Sequence, residues 1–233
     1  MINVSNQIFL KNINFKINRN FFFNNLSLNI STSGITVILG PNGSGKSLLT
    51  KILKGIIKPD SGDLLIRLNN KVPDIGYLSQ NITFLRRDVF SNLAYPLKIK
   101  GCAKEKVSKN INFLLSDFKF SSHKKKSARS LSGGNKQYLS FMRALVTKPK
   151  LLILDEPSSN LDMDSTKRIE NYLLKKKREI KIIMVTHDLF QAKRLADEIL
   201  FLNEGKIIEI SEKKKFLSSR NKLVRRFLEG NLF

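Results

Sequence analysis

Eight consecutive residues, Gly40-Pro41-Asn42-Gly43-Ser44-Gly45-Lys46-Ser47, have the make-up of a phosphate cradle. Glycines at three of the first six positions let the backbone turn tightly and present successive N–H groups to anionic oxygens. A lysine and a hydroxyl follow at once, completing the spacing GxxxxGK[ST]. In that arrangement the ammonium of Lys46 bridges the β- and γ-phosphates of a nucleoside triphosphate, and the Ser47 hydroxyl ligates Mg2+. A second chemical group lies far along the chain. Four apolar residues, Leu151–Leu154, lead into Asp155 and Glu156, so a buried strand delivers two carboxylates at its C-terminal end, the edge where parallel sheets bind ligands. Asp155 is expected in the Mg2+ shell. Glu156 is expected to accept a proton from the water that attacks the γ-phosphate.

These groups need a sheet to bring them together. Apolar alternation at Ile13, Phe15 and Ile17, then at Leu26, Leu28 and Ile30, predicts antiparallel strands near the start. A buried strand over Ile35–Leu39 runs into the glycine loop, and a helix continues from it to about Ile57. A turn at Lys58–Gly62 precedes a strand over Asp63–Leu68, and another strand covers Asp74–Leu78. Residues 81–147 read as mostly helical, with Pro96 and Gly101 as breaks. Strands return at Leu151–Leu154, Ile182–Thr186, Glu198–Leu202 and Lys206–Ile210, separated by helices, and short helices close the chain to Phe233. Strands alternating with helices imply a largely parallel sheet.

Composition narrows the classes. The chain has 233 residues, 41% hydrophobic and 26% charged, which suits a packed core rather than disorder. No apolar run is long enough to span a bilayer, and the first residues, MINVSNQIFL, lack the layout of a secretory signal. The single cysteine, Cys102, cannot form an internal disulfide, so the cytosol is the expected compartment. Forty-two Lys and Arg against 19 Asp and Glu give a formal charge of +23. Nucleic acid or anionic lipid would favour such a surface, but the excess is scattered lysine in a chain also rich in Asn, Ile and Phe. It reads as compositional bias, and the runs Lys124–Lys126 and Lys213–Lys215 read as solvated faces.

With the two groups and the sheet placed, the chain resembles the ABC ATPases over essentially its whole length. Leu131-Ser132-Gly133-Gly134-Asn135 resembles the family signature LSGGQ. Gln80 stands where the family's glutamine loop begins, Ser158–Asp162 resembles its D-loop, and His187 matches its switch histidine. The resemblance implies an α/β P-loop NTPase (RecA-like) core with an N-terminal antiparallel β subdomain and an inserted helical signature subdomain. The core would cover about 1–80 and 148–233, and the helical subdomain about 81–147. It also implies a sandwich: one subunit supplies Gly40–Ser47, Asp155, Glu156 and His187, and a second cassette offers Ser132, Gly133 and Gly134 across the ATP. Mg2+ would be held by Ser47, Gln80 and Asp155, and the adenine would lie against Ile17, where the family usually has an aromatic. Aliphatic Ile17 lacks a ring's stacking contribution of about 1 kcal/mol, so loose nucleotide selectivity is expected, and Phe15 could replace it only with a register shift. Asn135 and Tyr138 depart from the family's Gln or Glu and its Arg. His123 and Cys102 lie outside any motif and are expected to be a surface residue and an inert thiol.

A lone cassette without a membrane span resembles the bacterial importer arrangement, working with an integral membrane permease and a solute-binding protein at the cytoplasmic face of the inner membrane. The stretches Phe84–Leu97 and Gln191–Asp197 are similar to the ATPases of tungstate- and phosphate-type oxyanion importers. Two other roles within the family stay open: an exporter ATPase for haem or lipid, and a nucleic-acid-associated ATPase.

Overall fold

The computed structural model describes residues 6–230; the expected limits at Met1 and Phe233 lie outside them. Among the described residues, nine strands form two sheets. The first is antiparallel, ordered β2-β1-β4, from β1 (Gln7–Ile17), β2 (Asn20–Ile30) and β4 (Ser61–Arg67). The second contains β3 (Ile35–Leu39), β5 (Ile75–Leu78), β6 (Leu151–Asp155), β7 (Lys181–Val185), β8 (Glu198–Asn203) and β9 (Lys206–Glu212), in the order β5-β6-β7-β3-β8-β9. All of its pairings are parallel except the edge pair β8–β9. Every residue of β3, β6 and β7 is buried, as both faces of a parallel sheet require.

The helices are α1 (Lys46–Lys54), α2 (Val89–Ile99), α3 (Lys104–Asp117), α4 (Gly133–Leu145), α5 (Met163–Lys176), α6 (Leu189–Leu195), α7 (Lys213–Leu217) and α8 (Lys222–Leu228). The stretch between β5 and β6 is therefore helical, as its pattern predicts. The hydrophobic core divides between the two faces of the large sheet. One face packs on α4, α6, α7 and α8, with α2 lying on α4 and α3 on α2; the other packs on α1 and the antiparallel sheet.

The structure corrects three expectations. Pro96 does not break the chain but sits inside α2. Its missing N–H costs one helical bond, and burial of Val89, Leu93, Ala94 and Leu97 along the same helix outweighs that loss. The helix after the glycine loop stops at Lys54 rather than Ile57, because Gly55 turns left-handed (φ 78°) and its N–H, with that of Ile56, caps the last carbonyls. The simple alternation expected around Ile17 also fails. Register shifts between Leu10, Ile13, Phe15 and Lys16 bulge β1, and Ile17, beside the turn into β2, is 46% exposed.

Candidate functional site

The glycine loop crosses from the C-terminal end of β3 to the N-terminus of α1, so helix N–H groups and the positive end of the helix dipole face the same space. Its glycines take backbone shapes other residues resist: φ is 152° at Gly40, 76° at Gly43 and 104° at Gly45. At Gly40 a Cβ would also lie 1.9 Å from the Leu202 carbonyl of β8. Lys46 folds back along the loop, its Nζ donating to the Gly40 carbonyl (2.8 Å) and the Pro41 carbonyl (2.7 Å). Burial lowers its pKa, while Glu156 and Asp155 oppose that shift.

A cavity of about 320 Å3 opens over this loop, walled by Asn42, Gly43, Gly45, Lys46, Ser47 and Leu48 with Gln80, Asp155 and Glu156. Residues separated by about 33 to 110 positions in the sequence thus meet around one space. β6 delivers the carboxylates as its pattern predicts. Asp155 is 1% exposed, its Oδ1 has no hydrogen-bond partner, and burial raises its pKa against the pull of the Ser47 hydroxyl, Lys51 and Lys46. An unpartnered buried carboxylate oxygen among a hydroxyl and an amide is the donor set a hard divalent cation needs, so the residues fit Mg2+. Glu156 is also buried, and desolvation raises its pKa; His187, whose Nδ1 lies 3.0 Å from Glu156 Oε1, draws it back down. Ile17 and Ser132–Gly134 do not wall this cavity.

Ser132 caps α4, its hydroxyl accepting the Asn135 N–H. Gly134 lies close enough to the turn after β6 that a Cβ would sit 3.2 Å from the Asn160 carbonyl. That turn is anchored from α6: Gln191 Nε2 donates to Ser158 Oγ (2.9 Å) and to Glu170 Oε1 (3.1 Å), and Arg194 grips both oxygens of the buried Glu170 carboxylate. Two departures from the expected motif find partners. Tyr138 is buried, with its hydroxyl on the Ser165 carbonyl. Asn135 reaches His123, which is no free surface residue: its ring stacks on Phe120 with centroids 4.4 Å apart.

Sequence reasoning missed Gln137. This side chain is 1% exposed and its Nε2 donates to the Glu156 carbonyl at 2.8 Å. The available signal was a lone amide at a core-facing position of an amphipathic helix, between Gly134 and the buried run Tyr138, Leu139, Phe141 and Met142.

Comparison with known proteins agrees with this geometry. Residues 23–159 match the ABC transporter family. A molybdate/tungstate import ATP-binding protein of Methanocaldococcus jannaschii is 33% identical over 96% of this chain and 72% of its own length. A tungstate uptake system ATP-binding protein of Peptoclostridium acidaminophilum is 36% identical over 78% of this chain and 88% of its own. Among solved structures, a dimeric ATP-binding cassette in a post-hydrolysis state with ADP and Pi superposes with a TM-score of 0.78 at 25% identity, covering 88% of this chain and 98% of that one. The cbiO1 component of the ABC transporter complex cbiONQ from Clostridium perfringens gives a TM-score of 0.77 at 26% identity, covering 96% of this chain and 95% of that one. No helix among the described residues is long and apolar enough to cross a membrane. The chain belongs to the ABC transporter family and is one of its ATP-hydrolysing cassettes.

Proposed function

We propose that this cassette works as a pair, powering the import of a small oxyanion through a separate integral membrane permease at the cytoplasmic face of the membrane. The observation that carries the chemistry is the single cavity joining the phosphate loop to Asp155 and Glu156. The loop N–H groups and the end of α1 bind the phosphates. Lys46 trades its carbonyl partners for β- and γ-phosphate oxygens, a short swing because its ammonium is already held at the loop. Ser47, Asp155 and Gln80 would hold Mg2+, which supplies charge neutralisation on the transferring phosphoryl group. Glu156 takes the proton of the attacking water, and His187, bonded to its carboxylate, orients it and faces the γ-phosphate. Ser132, Gly133 and Gly134 close the site of the second copy, so ATP joins two subunits and hydrolysis releases them. In this reading the core covers about 1–80 and 148–233 and the helical subdomain about 81–147. Its α2 side, from Phe84 to Tyr95, meets the permease.

The oxyanion assignment rests on the two relatives described above, joined by a sulfate/thiosulfate import ATP-binding protein of Mesostigma viride, 34% identical over 88% of this chain. Relatives that import spermidine and putrescine match at similar identity, as in Clostridium acetobutylicum at 33%. Uptake of labelled tungstate, molybdate, sulfate and putrescine, compared between cells with and without the gene, tests the choice. Loss of tungstate or molybdate uptake is the expected result; loss of putrescine uptake alone overturns it. A solute-binding protein completes the importer, and co-purification tests the permease. Recovery of nucleic acid alone, fading as salt rises, would replace transport with a nucleic-acid role.

A further inference from the structure

Glu156 holds an unusual backbone position. Its φ is +53°, the left-handed region that residues with a side chain resist. A conformation of that kind persists only where the surroundings hold it. Three donors converge on the Glu156 carbonyl: Gln137 Nε2 at 2.8 Å, Ser159 Oγ at 3.0 Å and the Ser159 N–H at 3.3 Å. On the other side, the Glu156 N–H donates to the Val185 carbonyl of β7 at 3.1 Å. Ser159 belongs to the same tight turn and moves with it. Gln137 does not. It reaches in from α4, a separate element whose first turn carries Ser132, Gly133 and Gly134.

We infer that Gln137 is a positioning residue: it holds the Glu156 backbone in its left-handed conformation, so the carboxylate stays aimed at the attacking water. The amide is suited to this. It is 1% exposed, and a donor left without an acceptor there would be costly, so the bond to Glu156 is strongly favoured. The contact also makes one rigid piece of two groups that serve different ATP molecules. Within a chain, the helix that offers the signature to the partner's nucleotide grips the base acting on the chain's own. Close packing of Gly134 on the Asn160 carbonyl reinforces that link. The inference rests on Glu156 as the base and on Ser132–Gly134 as the signature.

The test replaces Gln137 by Met, which keeps length and volume but removes the donor. Turnover of ATP by the full chain with Mg2+ should fall about 10- to 100-fold, the scale of a small misplacement of a catalytic group, while the ATP dissociation constant stays within about twofold. The decisive measurement is the double variant. If Gln137 acts through Glu156, adding Q137M to E156Q should slow hydrolysis no further, since coupled sites are not additive. Should Q137M fold poorly, Q137N keeps the amide but is too short to reach, and the same pattern is expected. A variant that turns over within twofold of wild type, or a loss that multiplies onto E156Q, overturns the inference. An E156Q protein with wild-type turnover removes the base assignment and this inference together; a failed Gln137 result beside an impaired E156Q removes the inference alone.

Discussion

Replacing Gly45 with Ala should unfold the phosphate loop's support at a cost that the neighbouring glycine does not share. Gly45 has φ +104°, and a Cβ built on it lies 2.6 Å from Phe22 Cε1, with Phe23 Cε1 at 3.0 Å and Cζ at 3.1 Å. Phe22 is half-buried and can yield; Phe23 is fully buried under the loop and cannot. Backbone strain costs about 1–3 kcal/mol, and overpacking against a fixed ring about 1–3 kcal/mol more, for a total of about 2–6 kcal/mol. A domain of this size loses about 2–4 °C of melting temperature per kcal/mol, so Gly45→Ala should melt roughly 4–24 °C lower. Gly43 supplies the control. It too has a left-handed backbone, φ +76°, but nothing lies within 4 Å of its Cβ. Gly43→Ala should therefore lose only the strain, about 1–2 kcal/mol, or roughly 2–8 °C. Differential scanning calorimetry of the two proteins without nucleotide reads the difference directly. Equal melting temperatures would show that the Phe22–Phe23 wall gives way freely, and the packing argument would fail.

Three more outcomes concern the site and one the buried Lys181. Lys46→Ala should fold normally yet lose measurable ATP binding by calorimetry, because the ammonium that bridges the phosphates is gone. Glu156→Gln should slow phosphate release by about 10²–10⁴-fold and accumulate as an ATP-bound dimer on size exclusion; since burial raises the Glu156 pKa above 4.5, wild-type turnover should fall as pH drops through that raised value, and the residual rate of the Gln variant should lack this limb. Lys181 is 2% exposed and its pKa is lowered to about 8 by burial, with Glu198 and Asp197 opposing. The unfolded chain therefore binds the extra proton between about 8 and 10.5, and stability should rise with pH across that window; denaturant midpoints of wild type against Lys181→Met isolate the slope. Competition of GTP against ATP should show less than about a hundredfold preference, or roughly 2.7 kcal/mol, because exposed Ile17 offers no ring.

The parallel sheet was legible because near-continuous apolar runs, Leu151–Leu154 and Ile35–Leu39 with only Thr36 interrupting, suit burial on both faces. The phosphate loop and the carboxylate pair were legible for a related reason: both sit where a strand ends, so local pattern fixes their placement. What stayed hidden depends on contacts between distant segments. Gln137 meets Glu156 across 19 positions, and His123 meets Asn135 across 12; no local periodicity reports either. The exposure of Ile17 was hidden because bulges in β1 leave no simple compositional trace. Pro96 misled for the opposite reason, since a strong local rule was overruled by the packing of one helix face.

The strand order also governs how the chain is made. β3 lies between β7 and β8, so the strand leading into the phosphate loop has neither neighbour until Lys181 and later residues have left the ribosome. At about 5–20 residues per second, the roughly 140 residues between Leu39 and Lys181 take about 7–30 s to synthesise. Throughout that interval Ile35, Val37, Ile38 and Leu39, all fully buried in the finished sheet, are without their strand partners. Holding factors and aggregation would compete for that segment during synthesis, and the site's own geometry is among the last features of the molecule to form.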